Sequence, residues 1–200
     1  MSEERKRIAF FPLNISLLPG EDIPLRIFEP RYKQLIGECE LEGKTFGIPY
    51  VKDKGMQEYG SEVKLRQIVA KNSKGEMVIT IEGVSNFELV SFEDPMPGKL
   101  YSGGLVKPLW CDDEITDRSL FQLIIDYTDK LDGDFLSKVK GGTITTADIA
   151  RALNLSSEDK YKFIASPTRR LREQFLFGQM RYLFKLREQE KLLNNDYYLN

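Results

Sequence analysis

The sequence predicts an α+β protein, with strands in its first half and helices in its second. Three observations carry this. Between Ile8 and Lys107, apolar residues come in short runs or alternate with polar ones, the period-two signature of strands. After Trp110 they recur every three to four residues, the spacing of one helix face. Between the two lies Asp112-Asp113-Glu114, a break in both patterns, so one domain is expected over residues 1–112 and a second over 113–200.

The elements follow in order. Ile8 to Phe11 and Leu25 to Phe28 read as strands separated by Pro19-Gly20 and Pro24, residues that interrupt regular structure. A helix starts at Glu29-Pro30, where proline at the first turn sacrifices no hydrogen bond, and is expected to end near Glu38. Thr45 to Val51 is a strand that turns at Asp53-Lys54-Gly55. The alternation Val63, Leu65 slips near Gln67, as a β-bulge would make it slip, and Asn72-Ser73-Lys74-Gly75 then turns the chain into Met77, Ile79, Ile81. Phe87 to Phe92 and Tyr101 to Lys107 are read as two further strands around the Asp94 to Gly98 breaker.

In the helical half, Leu120, Ile124, Tyr127 and Leu131 form a stripe behind a capping Asp117. Gly133 and Gly141-Gly142 end that unit. Thr145 to Asp148 has the spacing of a capping box, and Ser156 to Asp159 repeats a start signal. Ser166-Pro167 is read as cap and first residue of a last helix reaching Leu193, with Leu171, Phe175, Tyr182, Leu186 and Leu193 on one stripe and Phe177, Met180 and Phe184 on another. A helix apolar on two sides is either central in a bundle or lends one side to a partner. Residues 112–134 hold eight acids against two bases, and 167–191 seven bases against three acids, so the two helices are expected to lie together.

Composition excludes whole classes of chemistry. There is no histidine, which removes the commonest general base and the commonest transition-metal ligand together. Cys39 and Cys111 are too far apart for a local metal knuckle and are read as free buried thiols. A net charge of −2 does not suit a dedicated polyanion binder. No window approaches a membrane span or a signal peptide, and a cytoplasmic protein is expected. Gly43-Lys44-Thr45 lacks the glycine a phosphate loop needs five residues earlier, where Glu38 stands, and lies between a helix and a strand rather than the reverse. Asp112 to Glu114 is read as charge compensation at a helix start rather than a cation site. No catalytic residue, metal ligand or cofactor is assigned.

Phe11-Pro12-Leu13, Leu18-Pro19-Gly20 and Pro24 to Tyr32 (PLRIFEPRY), followed by Phe46-Gly47-Ile48 and Ile81-Glu82-Gly83, closely resemble the N-terminal, substrate-binding domains of Lon-type proteases. One position departs from that pattern: Asn86 precedes Phe87 where the family often has arginine. The resemblance implies a PUA-like β-barrel with an inserted helix, followed by an α-helical bundle. It further implies a non-catalytic module for unfolded or misfolded polypeptide, served by a protease or ATPase in trans, since the chain stops at Asn200 before such domains.

Candidate peptide contacts are Arg31 and Tyr32 in the motif, Trp110 at the domain boundary, and Phe177, Met180 and Phe184 on the last helix. Aromatic and methionine side chains suit promiscuous apolar contact. The expected modes are β-addition along an open barrel strand or occupation of a groove. The alternative is nucleic-acid binding, by the PUA-like barrel or by the helix-turn-helix-like run Thr145 to Ser166, although Glu158-Asp159 would then face phosphate.

Overall fold

The computed structural model describes residues 5–138 and 143–197, so Gly141-Gly142 and the side chain of Leu193 lie outside the described residues. Two compact units divide the chain: Met1–Trp110 with Ser156–Ala165, and Cys111–Leu155 with Ser166–Asn200. The division after Trp110 is two residues from the boundary expected at 112, but the helix within 156–165 belongs with the strands rather than with the other helices.

The first unit contains β1 (Lys6–Phe10), β2 (Asp22–Ile27), α1 (Pro30–Glu42), β3 (Thr45–Lys52), β4 (Gly55–Lys71), β5 (Met77–Leu89), β6 (Ser102–Leu109) and α4 (Ser157–Ile164). The ladder runs β2-β5-β4-β3-β1-β6, and β6 pairs back onto β5, so five strands close a barrel and β2 is an additional strand on its side. β5 makes both contacts in one run: Met77 to Glu82 pair with β2, and Asn86 to Leu89 with β6. The strand expected from Phe87 to Phe92 is therefore no separate element: Phe87 to Leu89 are the end of β5, which passes Gly83 without a break, and residues 90–92 lie beyond it.

Short-range chemistry accounts for the turns. Asp53 and Lys54 both take left-handed φ, 51° and 64°, as the two central residues of a hairpin joining Lys52 to Gly55. In α1, Pro30 stands in the first turn, and Tyr32, Leu35, Ile36 and Cys39 line the buried face. The helix continues four residues past the expected end at Glu38, because Cys39 still belongs to that face and the first left-handed residue is Gly43. That face covers one side of the β2-β5-β4 sheet, meeting Ile27, Val63, Met77, Ile79 and Ile81 in the main core. α4, capped by Ser156, lies on the barrel through Tyr161, whose ring stacks on Tyr50 at 4.8 Å, and through ion pairs of Lys160 with Glu21 and Glu158 with Lys52.

The second unit contains α2 (Arg118–Lys130), a 3-10 turn (Leu136–Lys138), α3 (Thr146–Ala152) and α5 (Arg169–Tyr197). Asp117 caps α2 and Thr145 with Asp148 forms the complete capping box on α3, both as expected. Thr168, not Ser166, caps α5: its hydroxyl accepts from the Leu171 N–H, while the Ser166 carbonyl accepts from Arg172.

α2 and α5 pack together, but on a different face of α5 from the one its strongest apolar stripe marks. The buried residues are Arg172, Glu173, Leu176 and Met180, whereas Leu171, Tyr182 and Leu186 are exposed. Polar residues enter this core because each is answered. Arg172 Nε donates to Asp113 Oδ2 at 2.8 Å, and Glu173 Oε1 accepts from the N–H groups of Thr116 and Asp117 at the entry to α2.

Candidate functional site

The sequence-named residues fall into different settings. Tyr32 is buried, its ring stacked on Phe11 at 3.8 Å between centroids, and burial first and foremost raises its phenol pKa, with Arg31 opposing. Arg31 lies over the Tyr32 ring at 4.8 Å and pairs with Glu29 at 2.7 Å. Trp110 is 77% exposed at the end of the first unit. In the second unit Met180 is wholly buried, so it is a core residue with no surface to offer a peptide. Phe184 is half-buried edge-on to Tyr127, and Phe177 is half-buried beside Arg181, lining a shallow depression of about 480 Å³ with Leu123 and Asp126.

The surface that sequence reading did not locate is the distal end of β4. β3 pairs with β4 only as far as Lys64, opposite Thr45. Beyond it, residues 65–71 are laddered to β5 alone, and no other backbone hydrogen bond to them occurs among the described residues. Two bulges shape this run, with Arg66 and Val69 as the extra residues, the first of them beside the predicted slip at Gln67. Val69 is 58% exposed, while Leu65 and Ile68 sit half-buried on the core. β2 forms the opposite edge of the same sheet, but Pro24 at its centre removes an N–H, a common guard of exposed edges. No proline interrupts 65–71. The length of β4 was the available signal: 17 residues cannot be covered by an eight-residue neighbour.

A second concavity, about 600 Å³, lies between α1, β1 and the loop before β6. Its floor is Ile8, Ala9, Leu35 and Met96, and its wall carries Glu38, which accepts from Lys99 at 2.7 Å and from Tyr101 at 2.5 Å. The Lys99 hydrogen bond above all, followed by that of Tyr101, holds the Glu38 carboxyl below its usual range. Cys39 at this wall is pushed up to about 11 by burial, which leaves it a protonated, unreactive thiol at neutral pH. Among the described residues no group of three or more acidic or thiol side chains is placed to hold a metal ion. No described helix is long and apolar enough to cross a membrane.

The family model of the ATP-dependent protease La (LON) substrate-binding domain matches residues 7–198. The chain belongs to that family. Among solved structures, it is similar to the crystal structure of a Lon N-terminal domain protein from Xanthomonas campestris, with a TM-score of 0.65 and 25% identity over 86% of this chain and 97% of that one. It also shares its fold with the N-terminal domain of Mycobacterium avium complex Lon protease, with a TM-score of 0.50 and 13% identity over 90% and 97% of the two chains. No curated protein matches the chain.

The Lon-type motifs have physical tasks in this fold. The segment Leu17 to Glu21 is laced across the β4-β5 sheet: Ser61 Oγ accepts from the Leu17 N–H and donates to its carbonyl, and Asn86 Nδ2 donates to the same carbonyl at 2.9 Å. Gly83 exchanges hydrogen bonds of 2.8 Å with Gly20 and Glu21. Asn86, the departure from the Lon pattern, is thus a buried polar clamp, while Arg66 pairs with Glu82 at 3.0 Å. Gly43 ends α1 in a left-handed conformation, so Gly43-Lys44-Thr45 is a helix exit, as its inverted context indicated. The two helices of the helix-turn-helix-like run belong to different units, and the Tyr161 side of α4 is spent on the barrel.

Proposed function

We propose that this chain is a non-catalytic polypeptide-binding module, and that the distal edge of β4, residues 65–71, takes up extended segments of unfolded or partner proteins by β-addition. The observation that carries this reading is the one-sided ladder beyond Lys64. A strand edge offers backbone hydrogen bonds that read no particular sequence, and alternate apolar contacts that favour exposed core segments. Val69 and the half-buried Leu65 and Ile68 supply those contacts. Pro24 on β2 guards the other edge of the same sheet, which leaves 65–71 as the edge free of proline. Arg31, with Tyr32 beneath it as its support, and Trp110 are further contact candidates within the first unit, and Phe177 and Phe184 are separate candidates within the second.

Membership of the substrate-binding family supports protein segments as the ligand class. Hydrogen exchange with a permanently unfolded, reduced and carboxymethylated protein tests the site. Amides of 65–71 are expected to gain protection on binding, and Val69→Pro to weaken binding about tenfold or more with the circular dichroism unchanged. Binding with protection confined to other strands or to the helices would remove β4 from the proposal.

A further inference from the structure

The chain carries a net charge of −2, but the stretch between Glu62 and Glu76 holds four bases, Lys64, Arg66, Lys71 and Lys74, and no acid. This stretch is the open edge of β4 and the turn that follows it. Its bases are thinly answered. Lys64 and Arg66 share one carboxylate, Glu82 on β5, at 3.2 and 3.0 Å, and Asp22 approaches Arg66 only to 3.9 Å. Lys71 and Lys74 are exposed, and neither ammonium has an ion pair among the described residues. Glu76 beside them accepts from Asn72 and faces Arg26 at 3.9 Å. Lys33 of α1 adds a further cation at this end, donating to the Lys74 carbonyl at 2.8 Å.

The ladder sorts the two faces of the edge, because residues opposite one another on neighbouring strands share a face. Leu65 and Ile68 stand opposite Ile81 and Ile79 on the core face, while Lys64 stands opposite Glu82, and Glu82 opposite Asp22, on the outer face. Arg66, the extra residue of the first bulge, pairs with both of those acids and so lies on the outer face as well. A strand added here presents alternate side chains to apolar residues on one face and to cations on the other.

We infer that the β4 edge selects extended protein segments in which acidic residues alternate with apolar ones. The inference rests on the β-addition proposed above and names the clients that fit it. Apolar residues of the client meet Leu65 and Ile68, the acids between them lie beside Lys64 and Arg66, and an acid at the end nearest the turn reaches Lys71 and Lys74. A nucleic acid fits this edge less well. Its phosphate backbone has no N–H with which to continue the ladder, and residues 63–75 offer no aromatic ring for a base to stack on.

Blocked octapeptides in which valine alternates with glutamate, glutamine or lysine read the selection by titration calorimetry. The glutamate peptide is expected to bind about tenfold more tightly than the lysine peptide, with the glutamine peptide between them. The spread should close at about 1 M salt, where the screening length is about 3 Å. Lys71→Glu combined with Lys74→Glu should weaken the glutamate peptide about threefold and strengthen the lysine peptide, with 65–71 still protected in hydrogen exchange. Equal affinity for the three peptides, with 65–71 protected, would overturn the charge selection and leave β-addition standing. Absence of protection at 65–71 with every peptide would remove β4 itself, and the selection with it. Displacement of the bound glutamate peptide by an equal concentration of a single-stranded RNA dodecamer would give the cations to nucleic acid and overturn the inference.

Discussion

The two units hold their chains in place by different means. In the barrel, segments distant in sequence are fastened backbone to backbone, as where Gly83 bonds to Gly20 and Glu21, or through a buried polar side chain such as Ser61 or Asn86 reaching the Leu17 carbonyl. In the helical unit the fastenings are side chains at or near helix ends, Asp117, Thr145 and Glu173, with partly buried ion pairs such as Arg172 with Asp113 and Arg151 with Asp148. The first kind tolerates no substitute of different shape, because backbone cannot retreat. The second is a set of separable contributions, most of them near 1 kcal/mol. That contrast explains why the motif residues crowd into the barrel half.

Gly83→Ala presses the contrast hardest. A Cβ at residue 83 would lie 2.3 Å from the Leu18 carbonyl oxygen, so backbone must move and the two flanking hydrogen bonds are lost with it. A loss of about 4 kcal/mol is expected, from overpacking together with two hydrogen bonds. Urea denaturation measures it, and a loss under about 1 kcal/mol would show that the lacing yields cheaply.

Arg172→Ala is the strongest test on the other side. Arg172 is buried, its guanidinium bonded to Asp113 and to the Ser166 carbonyl, and truncation leaves Asp113 at the helix entry without it. About 3 kcal/mol should be lost, discounted because Asp113 is partly exposed. Hydrogen exchange should show the loss in α2, α3 and α5 while barrel amides keep their protection. Equal loosening of the barrel would erase the distinction between the two units.

A third test uses acid. Glu62 is buried in the barrel; burial alone would raise its carboxyl pKa, but hydrogen bonds from Lys6, Ser85 and Thr45 outweigh that and hold it below the ordinary value. A folded-state pKa lower than the unfolded one contributes stability that is present above the unfolded value, about 4.3, and lost as pH falls through the folded one. Glu62→Gln should therefore be less stable than wild type at pH 7 by about 2 kcal/mol, with the gap closing below about pH 4. A gap constant with pH would mean that shape rather than charge holds this site.

Legibility in the sequence follows the same division. Caps and tight turns are local, so Asp117, Thr145, Ser156 and the Asp53-Lys54 hairpin could be read directly. Edges are not local: that 65–71 is open depends on where β3 begins, which nothing within 65–71 encodes. On α5, apolar periodicity revealed two faces but favoured the wrong one for packing. The buried face includes Arg172 and Glu173, which a count of apolar residues discards and which only Asp113, Thr116 and Asp117 make affordable. Met180 was read from the right face and assigned an exposed task, although it is core.

The smallest expected effect sharpens the comparison from below. Thr145 accepts from the Asp148 N–H while Asp148 accepts from the Thr145 N–H, the reciprocal pair that begins α3. Asp148 also pairs with Arg151, so the helix start keeps a carboxylate partner when the threonine is removed. Thr145→Ala should thus cost only about 1 kcal/mol. Asp148→Ala, which removes the N-cap acceptor and the Arg151 partner together from a nearly buried position, should cost more than Thr145→Ala, by about 1 kcal/mol. Denaturant midpoints of the two variants decide the order. If Thr145→Ala proves the more costly, the hydroxyl and not the carboxylate carries the cap, and the separability claimed for the helical unit fails at its most local point.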